Sequence, residues 1–359
     1  MNPIRMGVIG AGHLGRIHAK LLAATQGATL VGVSDPSAAN RDRVAESFGV
    51  PAYEDFGTLM PEIDAAVVAS PTPTHASIVR TLLEAGKHVL CEKPLTIDPY
   101  DADMLAAIAR RKRLTLQVGH VERFNPAFVA LGDLAKDVKY VEATRASSFP
   151  GRCLDVGVVM DLMIHDLDLV LSMTDSAVRS VHASGVAVVS SHEDIAEARI
   201  EFESGLVANL KASRISTGAC RQMQVFGPGG FAEIDFQTPS IGVIRPSETI
   251  RDREFDLSSA TDNPLTYRDA LFADHLVAGE QTVEPRNAIL DELHDFVVSI
   301  QSGVLPTVSG EQGAAAVRLA DQVIDAIGKR QWYARPRLDE IGPHAAPRPR
   351  ITQPARRAA

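Results

Sequence analysis

Cys91-Glu92-Lys93-Pro94 follows directly on the apolar run His88-Val89-Leu90, so a buried strand would end on a charge pair whose backbone a proline then restricts. An ammonium there can hold a hydroxyl group and stabilise charge that builds on its oxygen. Further along the chain, Asp161 and His165 are four residues apart. If 158–171 is a helix, they share a face, and the carboxylate can orient the imidazole and raise its basicity for proton transfer with a hydroxyl. The candidate catalytic residues are therefore Lys93 as a hydrogen-bonding or proton-sharing group, His165 as base or acid, and Asp161 as its orienting partner. Read alone, Glu92 and Lys93 could also be a solvated pair, and His165 a structural histidine. His165, Asp166 and Asp168 could together suit a divalent cation, but hydride chemistry needs no metal, and none is expected.

Such chemistry needs a partner that accepts electrons, and the amino-terminal residues supply a place for one. The run 4–9 leads into Gly10-Ala11-Gly12-His13-Leu14-Gly15, followed by Leu14, Ile17, Leu21 and Leu22 at helical spacing. A glycine turn between strand and helix is the context a dinucleotide site requires. Gly10 allows the tight turn, Gly12 the approach of pyrophosphate and Gly15 close packing of helix on strand. The next apolar run, 29–34, stops at Asp35, twenty residues beyond Gly15. A carboxylate there suits an adenosine ribose and repels a 2′-phosphate, which favours NAD over NADP. Arg41 and Arg43 keep NADP as the lesser alternative, and an Asp35 that merely caps the following helix is the bland one.

Apolar strands at 64–69, 88–90 and 114–118 alternate with helices at 41–48, 75–85 and 101–111. Continuous apolar strands separated by helices predict a doubly wound parallel sheet with ligands at the carboxyl ends of its strands. That points to three loops: Ser70-Pro71-Thr72-Pro73-Thr74-His75, the stretch at Lys93, and Gly119-His120-Val121-Glu122-Arg123-Phe124-Asn125-Pro126. Beyond them strand-like runs dominate at 138–146, 181–189, 196–202, 206–213, 222–226 and 231–236, with hairpin cues between, predicting an open, largely antiparallel sheet. Helices are expected at 288–301 and 313–329, whereas 245–286 shows no clear period and reads as a long loop. The fold class is thus α/β, an N-terminal Rossmann sheet plus a C-terminal α+β domain, with boundaries at 1–122 and 123–335. The basic, proline-rich end at 341–359 is expected to be a disordered tail.

The glycine turn, the 70–75 loop, the Glu-Lys-Pro triplet, the 119–126 stretch and Asp161-Leu162-Met163-Ile164-His165-Asp166-Leu167-Asp168 together resemble, in order, the Gfo/Idh/MocA family of NAD(P)-dependent oxidoreductases. The resemblance spans most of the chain. It implies oxidation of a sugar hydroxyl to a ketone, with Lys93, Asp161 and His165 acting together. It adds Ser70, Pro71, Thr72, His75, Glu92, Lys93 and Arg123 to Gly10, Gly12, His13, Leu14, Gly15 and Asp35 as cofactor-binding residues, and places Lys93, His120, Asn125, Asp161 and His165 at the substrate. His120 could equally be a satisfied histidine of the pocket wall. The exposed face of the second sheet is implied to join subunits in a homodimer or homotetramer. The stretches around 118–126 and 155–168 are similar to those of members that oxidise C3 of UDP-N-acetylglucosamine, a nucleotide sugar. Its diphosphate would need cations, for which Arg145, Arg152 and Arg214 are candidates. A free sugar or inositol dehydrogenase is the alternative, with biliverdin-reductase-like or dihydrodiol-dehydrogenase-like activity a further one. A non-enzymatic NAD-binding regulator could dispense with Lys93 and His165.

Composition narrows the setting. A chain of 359 residues, 45% hydrophobic and 23% charged, suits two cores. The net charge of -9 offers no general attraction for nucleic acid, and no apolar run approaches the ~18 residues that span a bilayer. Three scattered cysteines, Cys91, Cys153 and Cys220, suggest reduced thiols. With no signal-like start, the protein is expected to be cytoplasmic and free of membrane partners.

Overall fold

A computed structural model of the chain describes residues 2–149, 156–256 and 264–329. The first third alternates strands and helices: β1 (Ile4–Ile9), α1 (His13–Leu22), β2 (Ala28–Ser34), α2 (Ala38–Phe48), β3 (Ala52–Tyr53), α3 (Phe56–Leu59), β4 (Ala65–Val68), α4 (His75–Glu84), β5 (His88–Glu92), α5 (Pro99–Lys112) and β6 (Leu116–Gly119). The strands pair in the order β3-β2-β1-β4-β5-β6, all parallel. β4 is buried along its whole length, as a strand covered by helices on both faces must be. Successive strands run to opposite sides of β1, and this reversal opens a crevice at the carboxyl ends of β1 and β4.

A second sheet follows, entered through the short α6 (Pro126–Val129). Its strands are β7 (Tyr140–Ala146), β8 (Val178–Val186), β9 (Ile195–Phe202), β10 (Val207–Ser213), β11 (Cys220–Gly227), β12 (Gly230–Asp235) and β13 (Ser240–Pro246), with α7 (Ile164–Ser172) between β7 and β8. The segment 245–286, expected as loop, instead carries α8 (Glu248–Arg251), α9 (Pro264–Ala270) and an eighth strand, β14 (Leu276–Gln281), paired to β13. β14 is an edge strand and almost wholly exposed, so its residues carry none of the apolar alternation by which strands are recognised. The order is β14-β13-β12-β11-β7-β10-β9-β8, antiparallel except for the parallel pair β7 and β10.

In β7, β9, β10 and β11 alternate residues, among them Val141, Ala198, Leu210 and Met223, are buried against the helices, while Glu142, Glu197 and Lys211 face away. Two long helices end the described chain, α10 (Ala288–Ser302) and α11 (Gly310–Gly328). Leu293, Phe296 and Val297 of α10 join the core around β1 and α1, whereas Val317 and Ala320 of α11 belong to the core that runs from the first sheet into the second.

The joint between the sheets is polar at its centre. Arg145, on the buried face of β7, places Nη1 2.7 Å from Glu122 Oε1 and Nη2 2.8 Å from Asp166 Oδ1. Glu122 follows β6 and Asp166 lies on α7, so one guanidinium fastens the end of the first sheet to the second. Burial opposes its charge, but the two carboxylates more than offset this and hold Arg145 above its ordinary value. Replacing Arg145 by leucine should strand two carboxylates in the interior and cost about 3–5 kcal/mol of stability. Urea unfolding followed by circular dichroism reads this directly, and an unchanged midpoint would contradict it.

Candidate active site

The glycine turn has the geometry of a phosphate cradle. Gly10 adopts a φ of +92°, and a Cβ there would lie 2.6 Å from the Ser70 amide nitrogen; one on Gly15 would lie 1.7 Å from the Gly10 carbonyl oxygen. A Cβ on Gly12 would meet nothing within 4 Å, which leaves open space in front of α1. Gly12 caps that helix without a side-chain hydrogen bond, so first-turn amides face that space. His13 is exposed and Leu14 half-buried beside it. Asp35 accepts from the Ala11 amide through Oδ2 and from the Ser37 amide through Oδ1, both at 2.8 Å. Each carboxylate oxygen keeps a lone pair for a ribose hydroxyl. Arg41 turns its Nη1 to the carbonyls of Asp35 and Pro36. These features fit NAD.

On the other side of the crevice, the buried His75 ring lies 2.8 Å from the Ser70 carbonyl and 2.9 Å from that of Pro94, tying the 70–75 loop to the turn after Lys93. Ser70 Oγ pairs with Thr74 Oγ1, while Pro71 is exposed and Thr72 half-buried. The Lys93–Pro94 peptide is cis. Glu92, the last residue of β5, lies 2.6 Å from Nε2 of His18, a fully buried residue of α1. Burial pushes the Glu92 carboxyl up, but His18 and Lys93 together hold it below its ordinary value. Glu292 on α10 is buried with Oε1 unpartnered, and burial, reinforced by the charge of Glu92, holds its carboxyl well above the usual range. Neither His18 nor Glu292 was expected to matter. The available signal for His18 was a histidine interrupting the stripe Leu14, His18, Leu22.

The catalytic candidates converge, though not in the predicted pairing. Lys93 Nζ donates to the Asp161 carbonyl at 2.6 Å and lies 3.5 Å from its Oδ1. Asp161 is thus the partner of Lys93, and the expected orientation of His165 by Asp161 is corrected: His165 Nδ1 is buried without a hydrogen-bond partner. The cause is local. Val159–Met163 is a π-helical turn ahead of α7, and its wider winding displaces the i, i+4 alignment that a regular helix would give. The His165 and His120 rings meet edge to face at 6.4 Å. Burial first, then the charges of Lys93 and Arg145, lower His165 well below its ordinary value. His120 is buried with both ring nitrogens unpartnered, and burial lowers it too.

Four predicted ligands prove to be braces. Arg123 makes a two-pronged pair with Asp168 at 2.7 and 3.1 Å. Asn125 caps α6 through Oδ1 and donates its amide to Glu122 and the Phe236 carbonyl, which commits both of its donors to the wall. Arg145 is engaged as described, and the fully buried Arg214 bonds Asp194 and the Val156 carbonyl, so neither is available to a diphosphate. Arg152 lies outside the described residues, as do Cys153 and the tail. Asp166 and Asp168 spend their carboxylates on Arg145 and Arg123, and among the described residues no group of histidine, cysteine and acidic side chains is placed to hold a metal. No described helix is long and apolar enough to cross a membrane.

Comparison with known proteins agrees with this geometry. Residues 4–120 match the oxidoreductase family with an NAD-binding Rossmann fold, and 137–233 the GFO/IDH/MocA C-terminal domain. The chain is 38% identical over 279 residues to the UDP-N-acetylglucosamine 3-dehydrogenase of Acidithiobacillus ferrooxidans, covering 76% of this chain and 86% of that one. A crystal form of that enzyme superposes with a TM-score of 0.80 at 33% identity, covering 92% of this chain and 99% of the other. The myo-inositol 2-dehydrogenase of Thermotoga maritima is 29% identical over 335 residues, 88% of this chain and 94% of its own. The chain belongs to the Gfo/Idh/MocA family and is an NAD-dependent oxidoreductase acting on CH-OH groups of sugars or inositols.

Proposed function

We propose that this protein oxidises the C3 hydroxyl of UDP-N-acetylglucosamine to a ketone. The observation that carries the reading is the meeting of Lys93, from the end of the parallel sheet, with Asp161 and His165 from the second unit, in a chain 38% identical to an enzyme named for that reaction. NAD, when bound, supplies a nicotinamide that accepts hydride. The protein's residues manage the proton and the oxygen. His165, kept neutral by burial, takes the hydroxyl proton on Nε2, since Nδ1 is enclosed. Lys93 donates a hydrogen bond to the same oxygen and stabilises its charge while the carbonyl forms, and Asp161 aims it. His120, neutral and enclosed, forms the wall behind His165. A neutral sugar or inositol is the second reading, favoured by the inositol dehydrogenase relative.

The open face of the eight-stranded sheet we read as the contact of a homodimer or homotetramer. Glu197 on β9 and Lys211 on β10 stand side by side there and offer both signs of charge to the matching face of a second copy.

Reduced-nicotinamide absorbance with UDP-N-acetylglucosamine, UDP-glucose, N-acetylglucosamine and myo-inositol separates the readings, with a ketone trap added to draw the equilibrium forward. Signal with the UDP-sugar alone supports the proposal, and signal only with the free sugars overturns it. Lys93→Met and His165→Asn should each lower kcat by about 10²- to 10⁴-fold with NAD affinity unchanged. Near-normal turnover in either variant would remove that residue from the mechanism. Because the folded His165 is held below the ordinary imidazole value, kcat/KM should fall only as pH drops beneath ~6.5. The unfolded chain takes up that proton first, so the stability contributed by neutral His165 is lost in the same direction, beginning near ~6.5 and continuing as pH falls. An acidic limb centred above that value would contradict the assignment.

A further inference from the structure

With Arg145 and Arg214 committed inside the wall, a diphosphate would need another cation, and one faces the site. Arg221 lies on β11 directly opposite Arg145 on β7. Met223 and Val225 on its own strand, and Ala143 and Val141 across from them, are buried against the helices, so the alternation of side chains turns Arg221 to that same face. Arg221 is exposed. Arg145, directly across from it, is paired with Asp166, the chain neighbour of His165, so Arg221 stands one strand away from the residues that hold the base.

Electrostatics give this position a direction. Like charges opposite each other on neighbouring strands repel. Arg145 is compensated by Glu122 and Asp166, whereas Arg221 makes no side-chain hydrogen bond or ion pair among the described residues. The two carboxylates offset the charge of Arg145, so an anion arriving at Arg221 displaces no existing partner, and a guanidinium can grip phosphate oxygens with two parallel bonds.

We propose that Arg221 receives the diphosphate of a nucleotide-sugar substrate and holds it at the pocket mouth while the sugar reaches Lys93 and His165. This assignment rests on the nucleotide-sugar reading and identifies the specificity-determining cation of that site. It explains how a chain of net charge -9 can still attract an anionic substrate.

Arg221→Ala and Arg221→Lys test it, with UDP alone as the competitive probe. In the alanine variant the KM for UDP-N-acetylglucosamine and the Ki for UDP should rise about 10- to 100-fold, the range of one charge-assisted contact. Its kcat should stay within about threefold and its NAD affinity unchanged, because Arg221 touches no reacting atom. Lysine should restore part of the affinity through its charge. A wild-type enzyme that turns over the UDP-sugar while Arg221→Ala keeps the same KM and Ki overturns the assignment and leaves the substrate reading standing. Loss of kcat and thermal stability together in both variants would make Arg221 structural, which also overturns it. A wild type that oxidises only neutral sugars and fails to bind UDP defeats the substrate reading itself, and this assignment with it.

Discussion

The guanidinium of Arg145, enclosed between Glu122 and Asp166, is the interaction on which the rest of the site depends. Hydride and proton transfer require groups from two separate sheets to be held to within fractions of an ångström. Lys93 is fixed by the first sheet and His165 by the helix over the second. Glu122 and Asp166 are close chain neighbours of those two settings, since Glu122 follows β6 and Asp166 adjoins His165. A guanidinium has the planar fork needed to engage two carboxylates at once, and the Phe236 ring, 5.5 Å from its central carbon, closes the remaining side. The Arg123 and Asp168 pair repeats the device two residues along α7. Buried pairs of this kind contribute little net stability compared with apolar packing, but they penalise misalignment heavily.

Charge is also distributed so that each acid or base near the crevice is kept in one state. His18 and Lys93 draw Glu92 toward its ionised form, whereas burial and the charge of Glu92 push Glu292 toward its protonated one. His165 and His120 share a low-dielectric wall with Lys93 and Arg145, and neither favours the imidazolium. A base that is already neutral loses nothing to a competing proton, and the Lys93 ammonium is held by Asp161 beside it. The division follows from burial and partners rather than from residue type, as with other paired acids and bases of enzymes.

What was legible in the sequence is what short-range chemistry dictates. The strand Ile4–Ile9, the turn Gly10 to Gly15 and the acid at Asp35 are each specified by a few adjacent residues, and the structure places them as read. The mixed, mostly antiparallel second sheet was legible from alternation as far as β12, but β13 was not foreseen, nor was β14, whose exposed edge carries no such pattern. Less legible was which partner each polar group would choose. Asp161 reached Lys93 instead of His165 because a π-helical turn intervenes, and spacing counted on a regular helix does not foresee it. Arg123 and Asn125 occupy a stretch that looks like ligand chemistry but is consumed by wall construction. For Arg145 a signal did exist: in Tyr140–Ala146 it alternates in phase with Val141 and Ala143, which marks it as buried and therefore paired.

The central claim is that hydride leaves C3 of the sugar of a UDP-sugar for the bound nicotinamide. UDP-N-acetylglucosamine carrying deuterium at C3 tests it most directly. The reduced cofactor should carry the deuterium and the product should be a 3-keto nucleotide sugar, both read by mass spectrometry. Reduced cofactor free of deuterium, formed alongside a product oxidised at another carbon, would contradict it.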